Sequence, residues 1–473
     1  MLTPMQCHEA RMARDRRYDG LFFTAVKTTG IYCRSICPAM PPLEKNVEYF
    51  DSAVAAAQAG YRPCLRCRPD SAPGSPAWLG KNTTLRRAQR LIDEGALIAG
   101  SIARLAERLG VTDRYLRKLF QDELGLSPKA YSLYQQCLLA KKLLHETRLP
   151  VTHIALASGF GSIRRFNDCF KQHFSLAPTQ VRKQPGEPVS GAVTFSVSLA
   201  YRPPYHWAGV RNFYASRLIE GLEWLDDTSY GRTFQFVHTD DVVGEKDKTD
   251  GTAQSARIYH GWFTARHDAD NTRFIVTISL DDLSVLPQVL ATIRRCLDLD
   301  ADSSVIDTAL ERATVLPLPV EGLRLPGIWS PFEAGIRAIL GQQVSVKAAR
   351  NLVAKIVAMN PENTDAHCFF PTPEQLLEYD LNQLGMPERR RQTLREFARF
   401  AAEHPLDNPD ALLALPGIGP WTVNYLRMRG CSDPDIFLDG DLGVKKALEH
   451  CECQPALAAP WRSYLTLHLW NTL

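Results

Sequence analysis

Four of the twelve cysteines in this 473-residue chain stand in two close pairs, Cys33-x3-Cys37 and Cys64-x2-Cys67, with 26 residues between the pairs. Two such pairs can supply the four thiolates of a tetrahedral Zn²⁺ site, and a unit of about 70 residues gains most from such a staple. Zinc keeps a thiol deprotonated at neutral pH, and the thiolate is the nucleophilic form. Purely structural zinc ribbons use the same ligands, so spacing alone leaves both uses open. A second constellation lies near the other end. LPGIG (415–419) reads as a hairpin between two helices: Gly417 and Gly419 let backbone N–H groups approach a phosphate, and the carbonyls can hold a monovalent cation. An LPG turn alone is common at helix junctions. Followed by Trp421, Tyr425 and the carboxylates Asp439 and Asp441, it becomes a candidate reaction site.

The residues around the cysteines narrow the first case. TTGIYCRSIC (28–37) and GYRPCLRCRPD (60–70) closely resemble the N-terminal zinc domain of the Ada alkylation-response regulators, over roughly 15–70. The resemblance implies that Cys33 accepts a methyl group from a DNA methylphosphotriester, with Cys37, Cys64 and Cys67 as the other ligands. Four thiolates on one Zn²⁺ carry a formal charge of −2, and a methylated Cys33 leaves −1. A less negative site is repelled less by phosphates, so methylation is expected to tighten DNA binding. Arg34, Arg62, Arg66 and Arg68 flank the cysteines and are candidate phosphate contacts, although solvated surface arginines look the same in sequence.

Residues 76–185 carry 18 Lys+Arg against 8 Asp+Glu, a nucleic-acid footprint if the charge lies on one face. SIARLAERLGVTDRYLRKLFQDELGLSP (101–128) reads as helix, Gly turn and a second helix with arginines near its start, and 151–183 repeats the pattern. This resembles the paired helix-turn-helix of AraC-family activators, including the ending F-x-L-x-P-x-x-x-R (174–182). The resemblance makes 112–120 and 162–173 recognition helices, with Arg114, Arg117, Arg164 and Arg165 facing the major groove. Ala103, Leu105, Ala106, Ile154, Ala155 and Phe160 read as the core of the two motifs.

From about 195 onward the chain resembles the AlkA-type 3-methyladenine DNA glycosylases. The matching segments are RPPYHW (202–207), GLRLPG (322–327), ILGQQVSV (339–346), FPTPEQL (370–376), LPGIGPWTVNYLRMRG (415–430), FLDGDLGVKK (437–446) and PWRSYLTLHLW (460–470). The resemblance makes Asp441 the catalytic carboxylate, with Asp439 its rival. Its task is to stabilise oxocarbenium character at C1′ as the damaged base leaves. Trp421, Tyr425 and Trp470 would form the base pocket, where electron-rich rings select N-alkylated, positively charged purines. Related enzymes that also cut the strand carry a lysine just after the hairpin. Here Trp421 stands there, so no Schiff base can form at that position and excision without strand cleavage is expected. Gln343 stands where the family has a leucine wedge, and a polar wedge fills a vacated stack less well.

These sites need several frameworks to hold them. Pro/Gly/Ser-rich runs at 69–78 and 184–191 read as linkers, and charge divides with them: 1–185 carries a net +13 and 186–473 a net −10, so non-specific DNA affinity is expected mainly from the N-terminal half. The expectation is a multidomain chain: a small α+β zinc domain (1–75), an all-α double helix-turn-helix domain (76–185), an α/β subdomain (190–312) and an all-α helix-hairpin-helix glycosylase domain (313–473). Normal apolar content, 45%, and a net charge of +3 exclude disorder as the main state, and no apolar run reaches ~18 residues. Scattered cysteines without an export signal suggest a reducing cytoplasm. The combined resemblances imply a bifunctional alkylation-response protein with one Zn²⁺. Its partners would be double-stranded DNA (damaged bases, methylphosphotriesters, promoter sites) and RNA polymerase, with no membrane and a monomeric state. The alternatives are a transcription factor whose glycosylase-like half only recognises damage, and a glycosylase with a non-regulatory DNA tether.

Overall fold

The computed structural model describes residues 2–14, 18, 19, 21–51, 53–64, 66, 67, 69, 81–98, 100–182, 191–238, 257–316 and 320–472. The expected linkers lie almost wholly outside them, as does Arg68. The described residues form two compact units, Met1–Arg86 and Arg87–Leu473.

In the first unit, helix α1 (Pro4–Met12) starts from a Thr3–Gln6 capping box. Strands β1 (Phe23–Val26), β2 (Ile31–Arg34) and β3 (Val47–Phe50), helix α2 (Ala53–Gln58) and strand β4 (Arg62–Pro63) follow. The sheet order is β3-β1-β2-β4, antiparallel except for the β2–β4 pair. Its core is small, built on Phe23, Ala25, Tyr32 and Ala56. A core this size gives limited stability by itself, which is why the cysteines matter to the fold.

Helices follow, the first of which begins within the last residues of the first unit. The series runs α3 (Lys81–Asp93), α4 (Ile102–Arg108), α5 (Asp113–Leu124), α6 (Pro128–Glu146), α7 (Val151–Ala157), α8 (Ile163–Phe174) and α9 (Pro178–Val181). The two expected repeats share their punctuation. Thr112 and Ser162 cap α5 and α8 by accepting from the N–H groups of Tyr115 and Arg165. Both helices end in a left-handed residue, Gly125 and Ser175. The expected core positions are buried apart from Ala103, which faces solvent: one turn of α4 presents only Ile102, Leu105 and Ala106 inward.

Beyond them lie β5 (Val193–Ala200), α10 (Trp207–Ala215), β6 (Glu223–Leu225), β7 (Ser229–His238), β8 (Arg257–Asp268) and β9 (Arg273–Leu280). The sheet is wholly antiparallel in the order β5-β9-β8-β7-β6. Strict alternation buries Val193, Phe195, Val197 and Leu199 on one face of β5. α11 (Leu286–Cys296) and α12 (Ser303–Ala313) then lead through β10 (Thr314–Leu316) into an all-helical part. Its helices are α13 (Pro331–Gly341), α14 (Val346–Ala358), α15 (Pro373–Leu377), α16 (Glu388–Glu403), α17 (Pro420–Gly430), α18 (Leu442–Leu448) and, after the short β11 (Glu452–Cys453), α19 (Arg462–Asn471). A buried ion cluster joins the sheet to this part: Arg232 on β7 meets Glu333 on α13 at 2.8 Å, and Arg337 reaches both Glu333 (2.8 Å) and Glu223 (3.3 Å).

Candidate functional site

In the first unit the sulfur atoms of Cys33, Cys37, Cys64 and Cys67 lie within 4.8 Å of one another. Cys37 and Cys64 are 3.9 Å apart at Sγ, close to the ~3.8 Å edge of a tetrahedron with 2.3 Å metal–sulfur bonds. Thiols this crowded share protons. The hydrogen bond to Cys37 pushes the Cys33 thiol up, and bonds from Cys33 and Cys67 pull Cys37 down. Only a cation among them lets all four ionise together, and a soft, four-sulfur donor set suits zinc.

The four sulfurs are not equivalent. Cys67 accepts the backbone N–H of Arg34 at 3.4 Å, and a backbone bond from Ala39 lowers Cys37. Cys33, on β2, and Cys37 are both partly exposed, and with Cys64 they line a cavity of about 730 Å³ whose walls include Arg11, Arg14, Arg62 and Arg66; of the two exposed thiols, Cys33 has no backbone hydrogen bond among those that shift it. Arg62 and Arg66 are exposed as expected. Arg34 is not, and the expectation of a phosphate contact there is corrected. It is 4% exposed, its Nε bonds Asp19 Oδ1 at 2.8 Å, and its Nη1 bonds the Cys67 carbonyl at 3.1 Å. The guanidinium is used up inside the domain, bracing the loop that carries Cys67.

In the second unit Arg114, Arg117, Arg164 and Arg165 are all exposed on α5 and α8. Arg117 is paired with Asp113 one turn back, at 2.5 Å, whereas Arg114, Arg164 and Arg165 have no acidic partner among the described residues.

The Asp441 carboxylate is held from three sides. Trp421 Nε1 donates to Oδ2 at 3.1 Å, Trp470 Nε1 to Oδ1 at 2.9 Å, and the Val444 N–H to Oδ1 at 3.1 Å, since Asp441 caps α18. Gly443 makes room: a Cβ there would sit 3.0 Å from Asp441 Oδ1 and 3.2 Å from Trp470 Cδ1. Asp439 is exposed and makes no hydrogen bond or ion pair among the described residues. Trp421 stacks on Tyr425 with centroids 5.4 Å apart, and Trp470 has ring contacts with both Tyr425 (6.5 Å) and Phe213 (6.0 Å). Phe213, from α10, was not singled out by sequence, nor were Arg217 and Arg429, whose guanidinium carbons lie 3.8 and 4.3 Å from its ring centroid. Burial pulls Arg217 down to about 10, leaving it charged at neutral pH. Phe213 and Arg217 lie beyond RPPYHW (202–207), and no motif in the sequence marks them.

LPGIG forms a tight turn before α17. Gly417 sits at φ +85°, and a Cβ there would meet Thr393 Oγ1 at 2.2 Å. Ile418 anchors the turn in the core. Gln342 Nε2 reaches back to the Gly417 carbonyl (3.1 Å) and Thr422 Oγ1 (3.0 Å). Gly419 caps α17, which places Trp421 on its first turn. Gln343, just beyond α13, is exposed and left-handed (φ +58°), so its side chain projects from a tight apex.

Family models match three stretches: the metal binding domain of Ada over residues 6–70, a helix-turn-helix domain over 105–184 and the AlkA N-terminal domain over 196–330. DNA-3-methyladenine glycosylase 2 of Escherichia coli (strain K12) is 34% identical over 297 residues, 58% of this chain and 96% of that protein. The bifunctional transcriptional activator/DNA repair enzyme Ada of the same organism is 37% identical over 142 residues, 30% of this chain and 38% of that one. The probable bifunctional transcriptional activator/DNA repair enzyme AlkA of Mycobacterium tuberculosis (strain CDC 1551 / Oshkosh) is 36% identical over 500 aligned residues, 99% of this chain and 96% of its own length. With Ada-type, helix-turn-helix and AlkA-type parts in one polypeptide, the chain belongs to this family of bifunctional transcriptional activator/DNA repair proteins.

Proposed function

We propose that the protein senses alkylated DNA through Cys33, regulates transcription through its helix-turn-helix block, and removes alkylated bases of the 3-methyladenine type by hydrolysis. The observation that carries the enzymatic half is the Asp441 carboxylate, fixed by two indole N–H groups beside an aromatic pocket. Trp421, Tyr425 and Trp470 would offer π faces to a cationic base, with the buried Phe213 backing Trp470 and already covered by Arg217 and Arg429, and the carboxylate offsets charge that grows on the sugar as the N-glycosidic bond breaks. Asp441, rather than the unsupported Asp439, has the fixed orientation this task needs. With Trp421 after the hairpin, the product is an abasic site in an intact strand. Gln343 would be the wedge, Gly417 and Gly419 would bring N–H groups to a phosphate, and the hairpin carbonyls would hold a monovalent cation, although those of Pro416 and Gly417 already accept one hydrogen bond each, from Thr393 and Gln342.

In the sensor half, Cys37, Cys64, Cys67 and Cys33 would hold one Zn²⁺, which keeps the thiols ionised when bound. Cys33 Sγ attacks the methyl carbon of a methylphosphotriester. The C–O bond breaks, the phosphate leaves as a diester anion, and a neutral thioether remains. Arg62 and Arg66 would take the flanking phosphates, and Arg114, Arg117, Arg164 and Arg165 the promoter groove. The functional blocks would be 1–75, 76–185, 190–312 and 313–473 of a monomeric cytoplasmic protein that recruits RNA polymerase.

The test is to incubate the intact protein with methylated duplex DNA, then analyse cysteine peptides by mass spectrometry and the supernatant for free base. A methyl group on the Cys33 peptide together with released 3-methyladenine is expected. Methylation of another cysteine moves the acceptor, and absence of free base reduces the C-terminal half to damage recognition.

A further inference from the structure

The helix-turn-helix block and the glycosylase-like block are packed as one body within the second unit. Cys137, Ala140, Leu143 and Leu144 of α6 and Ile154 of α7 belong to the same buried cluster as the sheet residues Val193, Val197, Val276 and Ile278. The polar contacts agree. β5 is an edge strand, and α6 covers its open side at Ser198: Glu146 accepts the Ser198 N–H at 2.7 Å and Lys142 donates to its carbonyl. An exposed edge strand is a liability for a lone domain, and here a helix of the neighbouring block closes it.

A second fastening lies close to both DNA-contact elements. Arg108, the last residue of α4, holds Asp407 in a two-pronged ion pair at 2.7 and 3.0 Å. Arg87 Nη2 bonds the carbonyls of both Arg108 and Asp407 at 3.2 Å, and neither member of the pair is more than about a third exposed. Recognition helix α5 begins five residues after Arg108, a reach of at most about 18 Å, and the hairpin begins eight residues after Asp407, at most about 29 Å. Both elements therefore start within about 60 Å of each other, under about twenty base-pair steps of one duplex. Charge is divided in a complementary way. Residues 76–185 carry +10, whereas 313–473, which hold the carboxylate and hairpin, carry −3.

We propose that the basic face of α5 and α8 grips the undamaged flank of the same duplex from which the glycosylase block removes a base, with the Arg108–Asp407 clamp fixing the two blocks in register. The helix-turn-helix block then has a use beyond promoter recognition: it supplies the phosphate contacts that a nearly neutral enzyme surface lacks. The clamp's bidentate geometry suits a fixed orientation better than a flexible tether would.

The proposal rests on the glycosylase reading only in choosing a lesion as the anchor point. The test uses the full-length protein and a duplex of about 40 base pairs with a central tetrahydrofuran abasic analogue, with a duplex of about 12 base pairs as control. Footprinting should show protection extending to one side of the lesion. Arg164→Glu with Arg165→Glu should erase that extension, weaken long-duplex binding at least tenfold and lower the salt slope of log K by about 2. The short duplex should be affected much less. Arg108→Asp should mimic the loss, and Arg108→Asp combined with Asp407→Arg should restore it. A symmetric footprint confined to the lesion, or an unchanged salt slope, overturns the proposal. Base release by the wild type, assayed in parallel, separates the two failures: no release strikes the glycosylase reading, while release with an unchanged slope strikes the grip.

Discussion

Three N–H groups converge on the two oxygens of Asp441, and two of them belong to the tryptophans of the proposed base pocket. Orientation and stacking can therefore be separated by mutation. Trp470→Phe keeps a ring beside Phe213 but removes one hydrogen bond to a charged acceptor, worth ~1.5–3 kcal/mol. Single-turnover excision should slow roughly 10- to 150-fold, and an unchanged rate would assign Trp470 to stacking alone. Gly443→Val should be comparably harmful, because its side chain enters the space of Asp441 Oδ1 and Trp470; a fully active variant would contradict that geometry. At this scale the sequence was informative where spacing brings residues together. The two cysteine pairs meet as expected. Choosing between Asp439 and Asp441 needed the resemblance, and only the folded chain shows a physical difference, since capping and indole contacts are invisible in FLDGDLGVKK. Arg34 was misplaced for a related reason: a basic residue beside a cysteine looks the same whether it faces phosphate or Asp19.

The element that braces α17, the helix carrying Trp421 and Tyr425, is α13, which packs against it, is tied to the sheet by the ion cluster around Glu333 and continues into Gln342, bonded to Thr422. Glu333 accepts from two buried guanidinium groups. Replacing it with Gln leaves Arg232 and Arg337 short of a countercharge, and breaking such a buried pair typically costs ~3–5 kcal/mol. Urea denaturation at pH 7 should record that loss, and a loss below about 1 kcal/mol would show that the cluster is replaceable. Burial alone would raise the Glu333 carboxyl, but Arg232 and Arg337 outweigh burial and hold it below the usual range. Its stabilising contribution is therefore complete above the unfolded value of ~4.3 and is lost as pH falls below that. The Gln variant and the wild type should accordingly converge in stability under acid. Helix starts and stops were legible in sequence because Thr112, Ser162, Gly125 and LPGIG carry local chemistry. Phe213 and Arg217 were not, because α10 reaches Trp470 only through the fold.

Across the whole chain charge is divided, +13 in residues 1–185 and −10 in 186–473, which suits the proposed division between holding DNA and excision. If Cys33 is the acceptor proposed above, its methylation would remove one negative charge from the zinc site, and the full-length methylated protein should bind a promoter duplex more tightly than the unmethylated form. The difference should shrink as salt rises, because screening shortens the reach of the lost charge. Titrations at several salt concentrations check this, and equal affinities would reject a charge switch. The order of the three parts was readable from their motifs. The packing of α6 against β5 was not, since the residues that share that core look like the private core of each block. The central claim, that one chain both senses and excises alkylation damage, depends most on Asp441. Single-turnover release of 3-methyladenine from methylated duplex DNA by the intact protein and by Asp441→Asn tests it most directly. Release by the wild type and a loss of roughly 150-fold or more in the variant, ~3 kcal/mol of barrier, are predicted. Equal release by the two proteins would contradict the account.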